Sequence, residues 1–337
     1  MKIALISGSY PPDICGVADY TKRLYEQLNK TDVSVSVYAG KRWGVFNAFR
    51  IHRDLLKTRA DVYHMQYPAT GYGWKLGPHL LSLLRPLVMT IHECSQTHIL
   101  RQVSLFLFTI RARKIIFTNE YELRYAERFA PWIRKRSALV SIGNNIPLAS
   151  AVSKTSDRAV TYFGLIRPEK GLEEVIEMAR LFKARQSGVI VRVVGTVLPG
   201  NERYFAFLRD QAKDLPLDWQ LNLPDRLLSH TLAETQVAYL PFPDGASERR
   251  SSLIAMLANG AAIITTYGSD TPRDLCDIAL FADSAEKAVS LAENLLSDPN
   301  ARRDRQFASV KHSKKYSWVN IAQEHRIIYE QLLGQDR

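Results

Sequence analysis

Two short segments in the second half of the chain combine side-chain cations with the predicted start of a helix. In the first, Arg167 and Lys170 follow an apolar, β-prone run and precede apolar residues at helical spacing. In the second, Arg249 and Arg250 end a polar loop between another apolar run and another helical pattern. The free N–H groups and the positive dipole end of a helix start favour anions, and neighbouring cations add to that preference. The two segments therefore predict two anion-binding sites suited to a diphosphate.

The elements around these residues are predicted from local composition. Gly164 is expected to let the backbone turn tightly at the end of the first apolar run. Ser251 or Ser252 can cap the second helix, which should run to about Ala258 and stop at Gly260. A solvated turn in an ordinary βα unit would have the same composition, so neither loop decides the function alone.

Apolar strand-like runs alternate with helical patterns along the chain, which predicts an α/β fold of doubly wound parallel sheets covered by helices. The 337 residues, 46% of them hydrophobic, suffice for two domains of ordinary size and exclude a disordered chain. Residues 147–158 are small and polar and are predicted to be the linker. We expect domains at 1–150 and 151–315, and a final helix at 316–337 that crosses back to the first domain.

The positive charge is concentrated in the first half of the chain. Residues 1–150 contain 21 Lys and Arg against 10 Asp and Glu, whereas residues 151–337 contain 24 of each, so the net charge of +11 belongs to the first half. Two basic stretches with aromatic residues, 41–57 and 100–114, suit peripheral contact with an anionic membrane, although solvated helix faces would show the same pattern. No zinc-finger spacing or aromatic RNA-binding motif is present, so nucleic acid is not expected as a partner.

The amino terminus, the cysteines and the absence of metal-binding motifs indicate the compartment of the protein and the kind of chemistry to expect. The amino terminus is already strand-like, so no signal peptide is expected, and the apolar run 103–110 is too short to cross a bilayer. Cys15, Cys94 and Cys276 are widely spaced and odd in number, which fits a reducing compartment. We expect a cytoplasmic protein that can reach the inner face of the cytoplasmic membrane. No Asp-x-Asp or H-E-x-x-H spacing occurs, so no metal site is expected.

Together these motifs resemble the retaining nucleotide-sugar glycosyltransferases of family four, which have the GT-B fold. The resemblance rests on F-x-G followed by PEKG and a helix, on a Pro-rich strand exit with an acidic loop and helix, on TIHE, on SIGNNIP and on a closing helix. These motifs lie at 163–171, 241–260, 90–93, 141–147 and from 316, so nearly the whole chain is covered. The resemblance implies two Rossmann-like domains that face a cleft.

The resemblance also implies retaining transfer of a hexose from a nucleoside-diphosphate sugar to a saccharide or lipid-linked acceptor of bacterial surface polysaccharide, such as lipopolysaccharide. It implies no cofactor beyond that donor as co-substrate. His64 and Gln66, which follow a strand predicted at 61–63, are expected to line the same cleft as the catalytic residues. The residues that match family positions are His92, Arg167, Lys170 and Glu248 for catalysis; Gly164, Arg249, Arg250, Ser251, Ser252 and Leu253 for the donor; and Gly16, Val17 and Asp19 for the acceptor.

The sequence departs from the family pattern at two places. Leu165 stands where members carry an arginine after the glycine, and Arg167 follows two places later. The second of two family glutamates, which is associated with the ribose hydroxyls, falls on Ile254 or Ala255. An inactive nucleotide-sugar-binding or scaffold protein, or a GT-B epimerase, therefore stays an alternative. A dinucleotide dehydrogenase is disfavoured because the first loop, GSYPPDICG, lacks G-x-G-x-x-G spacing.

Overall fold

The computed structural model describes most of the chain, which forms two compact units. One unit comprises Met1–Gly143 with Ser317–Arg337, and the other comprises Asn144–Tyr316. None of the described helices is both long and apolar enough to cross a membrane. Within the predicted linker, residues 150–153, 155 and 156 lie outside the described residues. The described residues are 1–13, 15–40, 42–95, 98–149, 154 and 157–335, without the side chains of 99–101 and 335.

The first unit is built on a parallel sheet with helices between successive strands. Its strands are β1 (Lys2–Ser7), β2 (Ser34–Tyr38), β3 (Val62–Tyr67), β4 (Val88–Ile91), β5 (Lys114–Phe117) and β6 (Ser137–Leu139). Its first helices are α1 (Gly16–Leu28), α2 (Val45–Thr58), α3 (Gly77–Leu84), α4 (Ile99–Arg111) and α5 (Glu120–Glu127). The strand order is β2-β1-β3-β4-β5-β6, so the chain changes direction across the sheet between β1 and β3. Such a switch point is where ligands bind in open α/β sheets, at the carboxyl ends of the strands.

Burial on both faces explains the apolar strands of this sheet. Every residue of β3 is buried, as parallel strands covered by helices on both sides require. Successive residues of β1 alternate between two core clusters, with Ala4 and Ile6 in one and Ile3 and Leu5 in the other. The sheet therefore holds the residues at its carboxyl edge on a rigid base.

The second unit contains a second parallel sheet of the same kind. Its strands are β7 (Ala159–Ile166), β8 (Ile190–Val197), β9 (Leu217–Leu221), β10 (Val237–Leu240), β11 (Ala262–Thr265) and β12 (Leu280–Phe281). Its helices are α6 (Leu172–Ala184), α7 (Glu202–Gln211), α8 (Asp225–Glu234), α9 (Ser251–Ala258), α10 (Ala285–Ser297) and α11 (Pro299–Ser313). The order β12-β11-β10-β7-β8-β9 is that of a nucleotide-binding doubly wound sheet, with its switch point between β7 and β10.

The last helix, α12 (Trp318–Gln335), packs against α1 in the first unit. Ile321 and Tyr329 of α12 belong to the same buried cluster as Leu24 and Leu28 of α1, at helical spacing on both helices. The end of the chain thus completes the core of the first unit. Short 3₁₀ turns lie at Thr70–Tyr72, Pro131–Arg136, Arg273–Leu275 and Lys314–Tyr316.

The structure confirms the predicted architecture of parallel sheets and alternating helices but corrects the position of Gly164. This residue pairs with Gly195 inside the ladder of β7 and β8, and β7 continues to Ile166. A Cβ atom on Gly195 would lie 2.0 Å from the Gly164 carbonyl oxygen, and one on Gly164 would lie 2.8 Å from the Tyr162 hydroxyl. Gly164 and Gly195 therefore allow the backbones of β7 and β8 and the Tyr162 side chain to pack closely, and Gly164 does not form a turn.

Candidate functional site

The loop that joins β7 to α6 spans residues 167–171 and contains both predicted cations, Arg167 and Lys170. Its turn is made at Glu169 and Gly171, which have φ angles of 65° and 73°. A Cβ atom on Gly171 would lie 1.8 Å from the carbonyl oxygen of Pro241, at the end of β10. Only glycine fits such a contact. The loops after β7 and β10 therefore touch at the switch point of the second sheet.

The loop after β11 completes this edge of the sheet. Ala246, in the loop between β10 and α9, donates a backbone hydrogen bond of 2.9 Å to the Thr266 carbonyl oxygen. Gly245 has a φ of 89°, and a Cβ atom on it would lie 2.4 Å from the backbone of Gly268. Three loops from neighbouring strands are thus packed together where a doubly wound sheet binds its ligand.

The two predicted arginines of the second loop are each paired with a carboxylate. Arg249 lies 2.5 Å from Asp270, and Arg250 pairs with Asp244 while its guanidinium lies 5.0 Å from the centre of the Phe242 ring. Among the described residues, no group of three or more His, Cys, Asp or Glu side chains is placed to hold a metal ion. The carboxylates of this edge orient arginines.

Lys170 and two arginines lie close enough to repel one another. Partial burial, followed by the positive charges of Arg250 and Arg167, lowers the pKa of Lys170, with Asp244 and Glu169 acting in the opposite sense. A cluster of like charges is costly unless an anion shares it. Its position at the switch point therefore suits an anionic ligand.

Three buried polar atoms, two of them on the arginines of this cluster, have no hydrogen-bond partner among the described residues. They are Nε of Arg167, Nε of Arg250 and Oγ of Ser247. A buried donor without a partner costs about 1–3 kcal/mol, so a ligand that accepts from these groups would recover that energy. Ser247 was not among the residues expected from the sequence, although it adjoins Glu248 in the same polar loop.

The predicted serine cap of α9 is wrong. Arg250 occupies the N-cap position in an extended conformation, with no side-chain cap, and Ile254 donates its backbone hydrogen bond to the Arg250 carbonyl oxygen. Ser251 and Ser252 therefore lie in the first helical turn, where backbone N–H groups lack intrahelical partners. The Leu253 side chain is only 3% exposed, so this residue can offer a ligand its N–H group but not its side chain.

Glu248 is held by two residues from the far end of the second unit. Its carboxylate accepts from the Lys315 ammonium at 2.8 Å and from the Tyr316 hydroxyl at 3.1 Å, and Lys315 also lies 2.8 Å from Asp274. Burial alone would lower the pKa of Lys315. The charge of Glu248 and the hydrogen bonds with the Glu248 and Asp274 carboxylates outweigh this effect, so the pKa of Lys315 is raised. The Glu248 carboxylate is thus anchored by a cation, which suits orientation of a neighbouring group more than proton transfer.

His92 follows β4 directly, at the carboxyl edge of the first sheet. Its Nε2 atom lies 2.9 Å from Oε1 of Gln66, and its ring lies edge-on to Tyr20 at 4.6 Å between ring centroids. Burial, with a further effect from His325, lowers the pKa of His92 to about 3. Its imidazole is therefore neutral near pH 7.

The expectation that His64 and Gln66 line a cleft is wrong, because β3 extends through both and their side chains are 0% exposed.

The predicted acceptor residues lie together in the first turn of α1. Gly16 is the first residue of that helix, Val17 is half-buried and Asp19 is exposed. Tyr20, the next residue, is the one that packs on His92. The start of α1 is therefore close to the His92 ring within the first unit.

Solved structures share this architecture over almost their whole length. The glycosyltransferase from Rickettsia africae has a TM-score of 0.71 at 12% identity, covering 98% of both chains. HepE of Anabaena, in complex with UDP and glucose, has a TM-score of 0.68 at 13% identity and covers 98% of this chain and 100% of its own. The catalytic domain of starch synthase IV from Arabidopsis thaliana, bound to ADP and acarbose, has a TM-score of 0.64 at 10% identity and covers 99% of each chain.

These similarities show the fold. The protein has the GT-B fold, with two Rossmann-like domains that each carry a six-stranded parallel sheet. No family model matches the chain, and no curated protein matches its sequence.

Proposed function

We propose that the protein is a retaining glycosyltransferase that moves a hexose from a nucleoside-diphosphate sugar. The observation that carries the proposal is the group of unpartnered buried atoms in the second unit, on Arg167, Arg250 and Ser247, beside the first turn of α9. These donors lie at the switch point of a sheet with the nucleotide-binding strand order. Neighbours of the same fold hold UDP or ADP, which supports a diphosphate as the ligand.

Catalysis in this proposal is electrostatic. The bond between the anomeric carbon and the diphosphate oxygen breaks, and negative charge grows on the departing diphosphate. Arg167, Lys170 and Arg250, with the N–H groups at the start of α9, stabilise that charge in place of a metal ion. The acceptor oxygen bonds to the anomeric carbon on the same face, and its proton passes to the leaving diphosphate. Glu248 orients the loop, and its carboxylate is held in place by the Lys315 ammonium at 2.8 Å.

The acceptor is proposed to bind the first unit, beside Gly16, Val17 and Asp19, and to be a saccharide or a lipid-linked saccharide. A lipid-linked acceptor is supported by a cavity of about 260 Å³ with an almost wholly apolar lining between α4, α5 and the sheet. Apolar cavities of this kind stay dry and take apolar ligands. Residues that line the cavity include Ile91, Phe106, Phe117, Phe129, Ala130 and Ile133.

Contact with an anionic membrane is proposed for the exposed face of α2. Phe46 is 93% exposed and Phe49 is 56% exposed, and Arg50 and Arg53 on the same helix are also exposed. The opposite face of α2 is buried at Ala48, Ile51 and Leu55. A helix that presents aromatic rings and cations together suits the interface of an anionic bilayer. This contact would place the enzyme at the inner face of the cytoplasmic membrane, where lipid-linked precursors of surface polysaccharide are assembled.

The test is sugar transfer by the purified full chain, with mixed nucleotide sugars and a lipid extract, followed by mass spectrometry. Transfer that persists in EDTA is expected. Lys170→Ala should weaken nucleoside-diphosphate binding about tenfold or more, since hydrogen bonds to charged groups contribute about 1.5–3 kcal/mol. Lys183→Ala, at the exposed end of α6, is the matched control and should bind normally. Unchanged donor affinity and transfer in the Lys170 variant would contradict the proposal.

A binding protein without transferase activity is the second candidate. It is favoured by Ile254 and Ala255, which stand at the position of the second family glutamate and are 1% and 0% exposed. Neither side chain can hold a ribose hydroxyl. Donor binding without transfer or hydrolysis in the same assay would select this candidate, and conversion of the donor without any acceptor would select an epimerase.

A further inference from the structure

A chain of polar side chains runs from His92 into the core of the first unit. Nε2 of His92 lies 2.9 Å from Oε1 of Gln66, and Nε2 of Gln66 lies 3.2 Å from Nε2 of His64. His64 then reaches the Thr90 hydroxyl at 2.7 Å and the hydroxyl of Tyr329, on α12, at 2.6 Å. Four of these side chains are 0% exposed, and buried polar groups of this kind specify one arrangement when each is satisfied.

The orientation of the Gln66 amide decides where the protons lie. An amide oxygen only accepts, so Nε2 of His92 must carry a hydrogen and donate it to Oε1 of Gln66. The amide nitrogen only donates, so Nε2 of His64 accepts, both from this amide and from the Thr90 hydroxyl. The His64 proton therefore lies on Nδ1, which donates to the Tyr329 hydroxyl. One glutamine thus sets the tautomers of two histidines.

The second nitrogen of His92 is left available to a ligand. Among the described residues, no group forms a hydrogen bond with Nδ1 of His92, and the ring is half-buried at the carboxyl edge of the sheet. The ring is held from the side by Tyr20. Tyr20 is fixed in turn, because Nδ1 of His325 donates to the Ile321 carbonyl oxygen and its Nε2 lies 3.5 Å from the Tyr20 hydroxyl.

We propose that Gln66 is a positioning residue that fixes His92 with its proton on Nε2, so that Nδ1 accepts a hydrogen bond from a sugar hydroxyl. The inference rests on the proposed function and specifies that, in the hydrogen bond between His92 and the sugar, the sugar hydroxyl is the donor and Nδ1 is the acceptor. The low pKa of His92 agrees with it, since the imidazole stays neutral and cannot act as a cation. His64 and Tyr329 hold the Gln66 amide in this orientation from the interior of the unit.

The first experiment records long-range ¹H–¹⁵N spectra of the full chain labelled with ¹⁵N-histidine, with His92 assigned through His92→Phe. We expect the neutral tautomer with the proton on Nε2, unchanged from pH 8 to pH 5. Gln66→Met keeps the shape of the side chain without its amide and should give a mixture of tautomers at His92. A proton on Nδ1 in the original protein, or an unchanged tautomer in the Met variant, would overturn the proposal.

The second measurement is steady-state sugar transfer. Gln66→Met should lower kcat about tenfold, the factor expected for one lost hydrogen bond, with little change in KM for the donor. Thr90→Val is the matched control, because it removes a hydrogen bond to His64 from the same buried chain but leaves the Gln66 amide in place. It should preserve the His92 tautomer and kcat. A kcat loss in the Val variant as large as in the Met variant would indicate general destabilisation and contradict the positioning role.

The spectra need no sugar transfer, so the two proposals fail separately. A fixed tautomer in a chain that transfers no sugar would refute the proposed function alone. Transfer by a chain in which His92 carries its proton on Nδ1 would refute the positioning role alone.

Discussion

The Pro241 carbonyl oxygen lies 1.8 Å from the position that a Cβ atom on Gly171 would occupy, so the loops after β7 and β10 are in direct backbone contact. This contact brings the loop of Arg167 and Lys170 against the loop of Ser247 and Arg250. The proposed diphosphate site thus depends on a residue that has no side chain.

Replacement of Gly171 by Ala should destabilise the second unit by more than about 3 kcal/mol, because the φ of 73° costs about 1–3 kcal/mol and a backbone atom must also move. Gly188 has a φ of 67°, and a Cβ atom added to it would meet no other atom within 4 Å. Gly188→Ala is therefore the matched control and should cost only the strain of its φ. Urea unfolding measures both. Equal losses in the two variants would show that the contact with Pro241 is unimportant.

The ion pair of Lys315 and Glu248 should be strongly coupled. Lys315→Met leaves a carboxylate that is 13% exposed without its cation and should destabilise the protein by about 1–3 kcal/mol. Adding Glu248→Gln should recover part of this loss. A double-mutant cycle followed by urea unfolding gives the coupling energy, which we expect to exceed about 1 kcal/mol. The exposed pair of Lys22 and Glu26, 3.9 Å apart, is the comparison and should couple by about 0.5 kcal/mol or less. Similar values for both pairs would contradict the anchoring of Glu248.

Acid should destabilise the first unit through its buried histidines. Burial lowers the pKa of His325 to about 4 and that of His64 well below 6.5, so the folded state binds fewer protons than the unfolded state. The stabilisation is complete above pH 6.5 and is lost as the pH falls towards 4, by about 1.4 kcal/mol per pH unit for each histidine. Denaturant unfolding between pH 7.5 and 4.5 measures the slope. His325→Gln should reduce the slope by one proton, and an unchanged slope would refute this assignment.

Membrane contact through α2 predicts flotation with vesicles that contain anionic lipid and no flotation with neutral vesicles. Replacing Phe46 and Phe49 by Ser should reduce binding to the anionic vesicles at least tenfold, because both exposed rings would leave the interface. Phe207 is 54% exposed on α7 of the other unit, and Phe207→Ser should bind normally. Failure of the original protein to float with either kind of vesicle would remove the membrane proposal.

Local pattern was enough to predict the sheets and the position of the first cation-bearing loop. The apolar runs that predicted β1, β3 and β4 are buried on both faces. The helical spacing after Gly171 is that of α6, with Leu172, Val175 and Phe182 inside. The N-cap of α9 was mispredicted, because serine is a preferred N-cap residue and arginine, which stands there, has no side-chain acceptor for the helix N–H groups. Arg250 takes the N-cap position while its side chain pairs with Asp244 and packs on Phe242, contacts that N-cap preferences do not take into account.

The α/β class, the order of strands and helices along the chain, and the polar character of the loops could all be inferred from the amino-acid sequence, because hydrophobic period and turn residues act over a few neighbours. Three contacts could be recognised only in the folded chain: Glu248 is held by Lys315, Gln66 connects His92 to α12, and Gly171 lies against Pro241. The residues in each contact are 26 or more positions apart, and no local period encodes such pairs. The contacts follow from the spatial order of the strands, which brings the loops of β7 and β10 together although β8, β9 and three helices separate them in the chain.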